Sequence, residues 1–324
     1  MPYADLVEVA LYDADYGFYA SGGRAGRRGD FLTSPEVGPL FGHVVSHAID
    51  AEWDRLGQPD DFTVIDFGAG PGTLARSILA ASPRCGRQLC YQAIERSTLQ
   101  REQHPEGVVS LEELTDEHIG SGTTGVVIAN ELLDNLAFTP VRWDDDGTAL
   151  FSTVDLGEDD ELIEVFAPEP SRSASQLIAD RSVVDQTDAG VWVRHMTENV
   201  LARGKVIVID YARLRTEDVE IRTYSEHGRA GEPLESLGAK DITVDVDLEA
   251  IQRFAGTASA ISQQHEWLRT HGIDALVEQG RATWEREAAV GGLAALRAKS
   301  RLREAGSLCD PVGLGGFTVA EWVV

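Results

Sequence analysis

Apolar and polar positions divide the 324-residue chain into segments of two periods. Short apolar runs bounded by turn formers recur between 62 and 142: FTVIDFG, LCYQAIE, VVSL and GVVIANE, with a helical pattern from about Gly72 to Ala81 after the first. Runs of this length, rich in β-branched residues and separated by helical segments, predict buried parallel strands in βαβ units. KVIVIDYA repeats the pattern near 205, DLEAIQRFA predicts a helix, a weak strand is expected near Ala260, and GFTVAEWVV predicts a last strand. Residues 274–304, rich in Arg, Glu and Ala, predict one long helix. Residues 1–57 read as mixed helix and loop, with Ser34 as an N-cap and Pro35 in the first helical turn.

Two stretches break the alternation. Residues 143–171 hold ten acids and no Lys or Arg, and TALFSTVDL and ELIEVFA about Gly157 predict an antiparallel hairpin inserted into the sheet domain. Residues 213–246 read as an irregular, polar insertion.

Charge narrows the function classes. With 54 Asp and Glu against 28 Lys and Arg, the net charge is -26. That disfavours nucleic acid as a partner, because such affinity comes largely from cations neutralising phosphates. No apolar run approaches the roughly 20 residues that a membrane helix needs, so no membrane insertion is expected. Three cysteines cannot staple a chain this long, and the N-terminal segment reads as neither a signal nor a transit peptide. A reducing compartment, the bacterial cytoplasm, is the expectation. The sequence sets no oligomeric state.

Candidate chemistry begins at Asp66-Phe67-Gly68-Ala69-Gly70-Pro71-Gly72, between a strand and a helical pattern. Glycines at such a turn adopt left-handed φ and let a ligand lie against bare backbone. A dinucleotide fingerprint would need glycine at 73, where this chain has Thr73. Glycines at 68, 70 and 72, with an acid two residues before the first, match the pattern of S-adenosyl-L-methionine (SAM) methyltransferases. They make Asp66, Gly68, Ala69, Gly70 and Gly72 candidate cofactor residues. Glu95 ends the second strand, 23 residues beyond Gly72, where a carboxylate can accept both ribose hydroxyls. Asn130-Glu131-Leu132-Leu133-Asp134 follows GVVIA at the carboxyl edge of a central strand, the edge where open α/β sheets bind ligands.

Seven blocks in order carry a resemblance: ALYDADYGFYA, GDFLTSPEVGPLFG, DFGAGPGTLA, ANELLDNL, VIVIDYA, IRTYSEHGRAGEPLESLGAKDITVDVD and GLGGF. Through them the chain resembles the MidA family of SAM-dependent methyltransferases over nearly its whole length. The resemblance implies the α/β class, with a Rossmann-like methyltransferase sheet in a single domain, 1–324. It also implies an N-terminal helical lid in 1–60 and SAM as cofactor. Mitochondrial members are arginine methyltransferases needed for respiratory complex I assembly. The resemblance therefore implies protein-arginine N-methylation of a partner such as a complex I subunit. A reading from another class is a SAM-binding assembly chaperone with little turnover, against which the intact glycines and Glu95 weigh. The chain departs from the family pattern at Asp66, more often Glu, at Ala137, usually Pro, and at Ala212, usually Gly.

A guanidinium is always charged and has no lone pair ready for attack, so it must be gripped and its proton removed. Glu131 is the candidate to orient it, with Asp134 in support, since a spacing of three puts both on one face if the loop opens a helix. Glu131 could instead touch the cofactor's amino group or cap the following helix. Asn130 is assigned to the cofactor. The family-typical segment from Gly29 to Glu36 resembles a lid, with Thr33 and Ser34 expected at the amino-acid end of SAM or in a plain helix start. Asp210 and Tyr211 fall on the same sheet edge. Gln264 and Trp267 match a family motif near the sixth strand, the Trp as core. His43 and His47 are four apart but lack a third ligand, Cys85 and Cys90 read as buried fillers, and GGRAGRR as a loop edge. The acidic insertion is expected to lie outside the cofactor pocket, where it could steer an arginine-bearing partner.

Overall fold

Burial alternates along the apolar runs, and that alternation sets the layers. The computed structural model describes residues 1–19, 33–120, 122–168, 183–225, 228–288 and 292–324. Its main strands are β1 (Phe62–Phe67), β2 (Leu89–Ile94), β3 (Val109–Leu111), β4 (Thr123–Asn130), β5 (Thr139–Trp143), β6 (Ala149–Leu156) and β7 (Leu162–Ala167). β8 (Leu201–Asp210), β9 (Ile221–Ser225), β10 (Asp241–Val244), β11 (Ala260–Gln263) and β12 (Thr318–Val323) follow. The helices used below are α1 (Tyr3–Tyr12), α2 (Ser34–Val37), α3 (Pro39–Arg55), α4 (Thr73–Ala81) and α5 (Thr187–His195). They continue with α6 (Leu248–Ala255), α7 (Gln264–Thr270), α8 (Ile273–Glu287) and α9 (Leu293–Leu308).

Seven strands join in the order β11-β12-β8-β4-β1-β2-β3. Those from β8 to β3 pair in parallel, whereas β12 runs antiparallel to both β8 and β11. Successive residues of a strand face opposite sides. Val64, Val126, Ile128 and Ile207 accordingly meet α3 and α4, while Ile65, Val127, Ala129, Val206 and Val208 meet α5 and α6. Covering both faces is what strands of continuous apolar sequence require. The chain order reverses between β1 and β4, which opens a crevice at the strands' carboxyl ends.

The predicted hairpin is present as β6 and β7, extended by β5 and Val184–Asp185 into a four-stranded antiparallel sheet. Residues 213–246 are not irregular: β9, β10 and the pair Gly228–Arg229 form a three-stranded antiparallel sheet. Its short strands are buried by partners distant in sequence. Val154 and Val184 from the hairpin sheet share a core with Ile242 and Val244 of β10 and with Tyr3, Leu6 and Val7 of α1. The two insertions and the first helix thus make one body beside the crevice.

Three other expectations change. The long helix is two, α8 and α9, and Gly292 at the N-cap of α9 has φ 137°, which side chains rarely adopt. Ser34 is not the N-cap of α2 but its first residue; Thr33 holds that place, and the Ser34 hydroxyl bonds elsewhere. Cys85 is buried, but Cys90 is exposed. Of residues 1–60, α1 and the start of α2 border the crevice, whereas α3 packs on the sheet. The expectations for Gly29 to Leu32, for GGRAGRR and for the tail of the acidic insertion fall outside the described residues.

Candidate active site

Gly68, Gly70 and Gly72 stand at φ 66°, 54° and 77°, so the turn out of β1 passes three times through the left-handed region. Glycine there keeps the loop tight and its backbone bare. Behind the loop, Glu95 accepts the N–H of Gly70 at 3.0 Å through Oε2 and that of Ser97 at 2.8 Å through Oε1. Burial pushes its carboxyl up, opposed by the two donors. Asp66, buried at the end of β1, accepts the Tyr91 hydroxyl at 2.8 Å. Burial outweighs that donor and raises its carboxyl to about 7.

A cavity of about 660 Å³ opens on this edge of the sheet. Thr33, Asp66, Gly68, Ala69, Gly70, Glu95, Asn130 and Glu131 all line it. Gly72, Ser34 and Asp134 stand behind that lining. Ile94, Leu114, Trp192 and Met196 give the cavity an apolar end beside Glu95. Tyr12, Tyr19 and Asn135 also line it, with the Arg96 guanidinium 4.5 Å over the Tyr12 ring.

Glu131 has φ 53°, unusual for a residue with a side chain, and its N–H is tied to the Ile209 carbonyl at 2.8 Å. Its Oε1 accepts Nδ2 of Asn130 at 3.1 Å and the N–H of Ser34 at 3.4 Å. Oε2 has no hydrogen bond among the described residues. The left-handed turn breaks the helical register expected from Glu131 to Asp134, so the two acids do not share a helix face. Asp134 instead turns into the body behind the cavity, where Oδ2 accepts the Thr243 hydroxyl at 2.9 Å and Oδ1 has no partner among the described residues.

Four carboxyls therefore crowd one place: Glu131, Asp134, Asp210 and Asp241. Burial, and then their mutual repulsion, lifts Glu131 to about 8 and Asp241 to about 8. Asp134 rises to about 6 and Asp210 well above the usual range. Asp210 lies off the cavity and accepts the N–H groups of Leu133 and Tyr211 at 2.9 and 2.8 Å. Tyr211 packs on Phe317, their ring centroids 3.9 Å apart.

Asn135, Tyr12, Tyr19 and Asp241 were not singled out by sequence reasoning. The Tyr19 hydroxyl donates to Oδ1 of Asn135 at 3.1 Å and stands 3.4 Å from Oδ1 of Asp241, which also accepts Nδ2 of Asn135 at 3.1 Å. Tyr12 stacks on Tyr19 with centroids 5.5 Å apart, and its hydroxyl reaches the Asn135 carbonyl at 3.3 Å. All four lie in the blocks ALYDADYGFYA, ANELLDNL and the one ending DITVDVD, which was the available signal. His43 and His47 bond through Nδ1 to the carbonyls of Pro39 and His271, at 2.7 and 3.0 Å.

The site suits SAM. A sulfonium and an ammonium are cations, a ribose offers two hydroxyl donors, and an adenine needs an apolar slot. The cavity supplies acids, the free capacity of Glu95 and the wall about Trp192. Asn130 adds a buried Oδ1 with no partner among the described residues, an acceptor in want of a donor.

Comparison with known proteins agrees. The family model described as "Putative S-adenosyl-L-methionine-dependent methyltransferase" matches residues 44–265, more than half of the chain. The human mitochondrial protein arginine methyltransferase NDUFAF7 is 27% identical over 312 residues, covering 84% of this chain and 70% of its own. Its Drosophila melanogaster homolog is 24% identical over 298 residues, covering 79% and 67%. Among solved structures, a Burkholderia thailandensis protein with S-adenosyl-homocysteine bound superposes with a TM-score of 0.81 at 25% identity, covering 100% of this chain and 88% of that one. The glycine turn at the switch point, the acid that braces it and the family match lead to one conclusion: this chain belongs to the SAM-dependent methyltransferases.

Proposed function

We propose that the methyl acceptor is an arginine side chain of a partner protein and that Glu131 is the residue that grips it. The observation that carries this reading is the state of the Glu131 carboxylate. Oε1 is held by two donors while Oε2 is without one, on the cavity wall, with three more buried acids behind it. A guanidinium brings two parallel N–H donors and a permanent charge, the complement of such a site. The names of the human and Drosophila relatives support the same acceptor.

SAM supplies an electrophilic methyl group on a sulfonium, and the protein does the rest. Asp66, the bare backbone of Gly68, Ala69 and Gly70, and Glu95 hold the nucleoside end. Thr33, Ser34 and Asn130 surround the amino-acid end, Thr33 and Asn130 from the wall and Ser34 from behind it. Glu131 orients the attacking nitrogen through Oε2 and takes its proton as the N–C bond forms and the C–S bond breaks, so charge and protons balance. Asp134 acts from behind, keeping the potential negative. Tyr12, Tyr19 and Asn135 flank the guanidinium, and α1 and the start of α2 border the mouth. The partner is a basic segment, in the light of the MidA resemblance one belonging to a respiratory complex I subunit. Exposed acids at 144–146 and 158–161 give its approach a favourable field. Three free cysteines fit a reducing compartment such as the bacterial cytoplasm.

Tritiated SAM and the purified chain, added to a lysate from cells lacking it, test the proposal. The label is expected in methylarginine after acid hydrolysis, and Glu131→Gln should lose it while binding SAM within threefold of the parent. Label in another residue type, or no label at all, would overturn the acceptor. Lost SAM binding in the variant would overturn the role of Glu131.

A further inference from the structure

Gln264 is fully buried at the junction of β11 and α7, far along the chain from the glycine turn and off the cavity wall. Every polar group it owns is engaged. Its N–H donates to the Phe317 carbonyl at 2.7 Å, its Nε2 to the Leu308 carbonyl at 3.3 Å, and its Oε1 accepts the Ser34 hydroxyl at 3.0 Å. The first contact fastens the backbone of Gln264 to the start of β12, and the second fastens its side-chain amide to the end of α9. The third reaches 230 positions back, to a serine whose side chain is also wholly buried.

Ser34 then passes that anchorage on, for its N–H is one of the two donors to Oε1 of Glu131. The same N-terminal segment is held a turn later, where Oε2 of Glu304 on α9 accepts the N–H of Leu40 at 2.8 Å. A backbone donor beside a carboxylate acts only over a few tenths of an ångström and with good alignment. At 3.4 Å the Ser34 N–H stands at the long edge of that range, so its position sets how strongly it acts on Glu131.

We propose that Gln264 is a positioning residue for methyl transfer, holding Ser34 so that its backbone N–H meets the Glu131 carboxylate. The proposal rests on the reading that Glu131 grips and deprotonates the acceptor. The carboxylate also faces Asp134, Asp210, Asp241 and the Tyr211 phenol, none of which contacts Gln264 in the hydrogen bonds described. Removing the Gln264 side-chain amide frees the Ser34 hydroxyl, lets the Ser34 N–H draw away from Glu131 and leaves those charges in place. Its carboxyl then rises further, so a deprotonated base is reached only at higher pH.

Gln264→Met, close in length and volume, Ser34→Ala and the double variant are compared with the parent. The rate of tritium transfer from labelled SAM to lysate protein is followed across pH at saturating SAM. Each single variant is expected to slow transfer about tenfold near neutrality, the loss of about one hydrogen bond. Each should also move the acidic limb to higher pH by up to about one unit, Gln264→Met with SAM affinity unchanged, and the double variant should be no worse than Gln264→Met. A lowered melting temperature with the limb unmoved, or additive losses in the double variant, would overturn the proposal. Ser34→Ala leaves the Leu308 and Phe317 contacts intact, so it decides the matter should Gln264→Met fail to fold. Glu131→Gln separates the two failures. If it retains the rate and the limb, the Glu131 reading falls and the proposal with it; if it is inactive while the other variants leave the limb unmoved, only the role of Gln264 falls.

Discussion

Glu95 reaches from the end of β2 to take the N–H of Gly70 at 3.0 Å, so the acid that follows β2 and the glycine turn that follows β1 brace each other. Both are parts of the cofactor seat, and the bond shapes that seat before any ligand enters. Glu95→Ala should weaken SAM binding about 100-fold, the loss of two charge-assisted hydrogen bonds, and titration calorimetry reads it directly. The melting temperature without SAM should move by only a few degrees, because Glu95 sits on the cavity wall and fills no core position.

Glu131 combines two local costs, a left-handed backbone and a carboxylate out of water. Asn tolerates the left-handed region better and carries no charge. Glu131→Asn should therefore raise the melting temperature by a few degrees while abolishing methyl transfer. Calorimetric scans alongside the tritium assay check both halves; a variant less stable than the parent would contradict the account of strain.

The raised carboxyls make stability depend on pH in a definite direction. Asp66, Glu131, Asp134, Asp210 and Asp241 hold protons more tightly folded than unfolded. Their contribution is complete below the ordinary carboxylate value of about 4 and is lost as pH rises through the folded values, which for Glu131 and Asp241 means about 8. The melting temperature should fall between about pH 5 and 8.5, and Asp241→Asn should flatten the fall, gaining stability at the upper end and little at the lower. Thermal scans of parent and variant at the two ends measure it.

Tyr19 lines the cavity, and its hydroxyl ties to Asn135 with Asp241 at the edge of reach. Tyr19→Phe keeps the ring stacked on Tyr12 and removes only the oxygen. Transfer to lysate protein should slow about tenfold with SAM affinity unchanged, since one hydrogen bond is lost on the acceptor side alone. A parallel loss of SAM affinity would place Tyr19 at the cofactor instead.

What the sequence disclosed follows from how local each cause is. β1, β4 and β8 are legible because both their faces are buried, which writes them as unbroken apolar runs. The turn at Gly68 to Gly72 is legible because only glycine suits its backbone, and Glu95 because strand and helix lengths place it. β9 and β10 are hidden, since IRTYS and DITV are short and become buried only against α1 and a hairpin remote in sequence. Asp134 was misplaced because its spacing from Glu131 assumes a helix, and one left-handed residue sends the two side chains apart. Tyr12 and Tyr19 belong to a recognised block, but nothing local says that they face a cavity built by β1 and β4.

The placement of β12 between β8 and β11 has a consequence for how the molecule assembles. β1 meets β4 with Thr63 opposite Gly125 and β11 meets β12 with Ala260 opposite Glu321, two closures of like length, whereas the Ser34–Gln264 hydrogen bond spans 230 positions. A closure of that span is slow, because a long loop must be ordered before its contacts repay it. The nucleoside seat is therefore expected to form before the contact that fixes the gripping carboxylate, so that a partly folded chain holds its cofactor before it is able to use it.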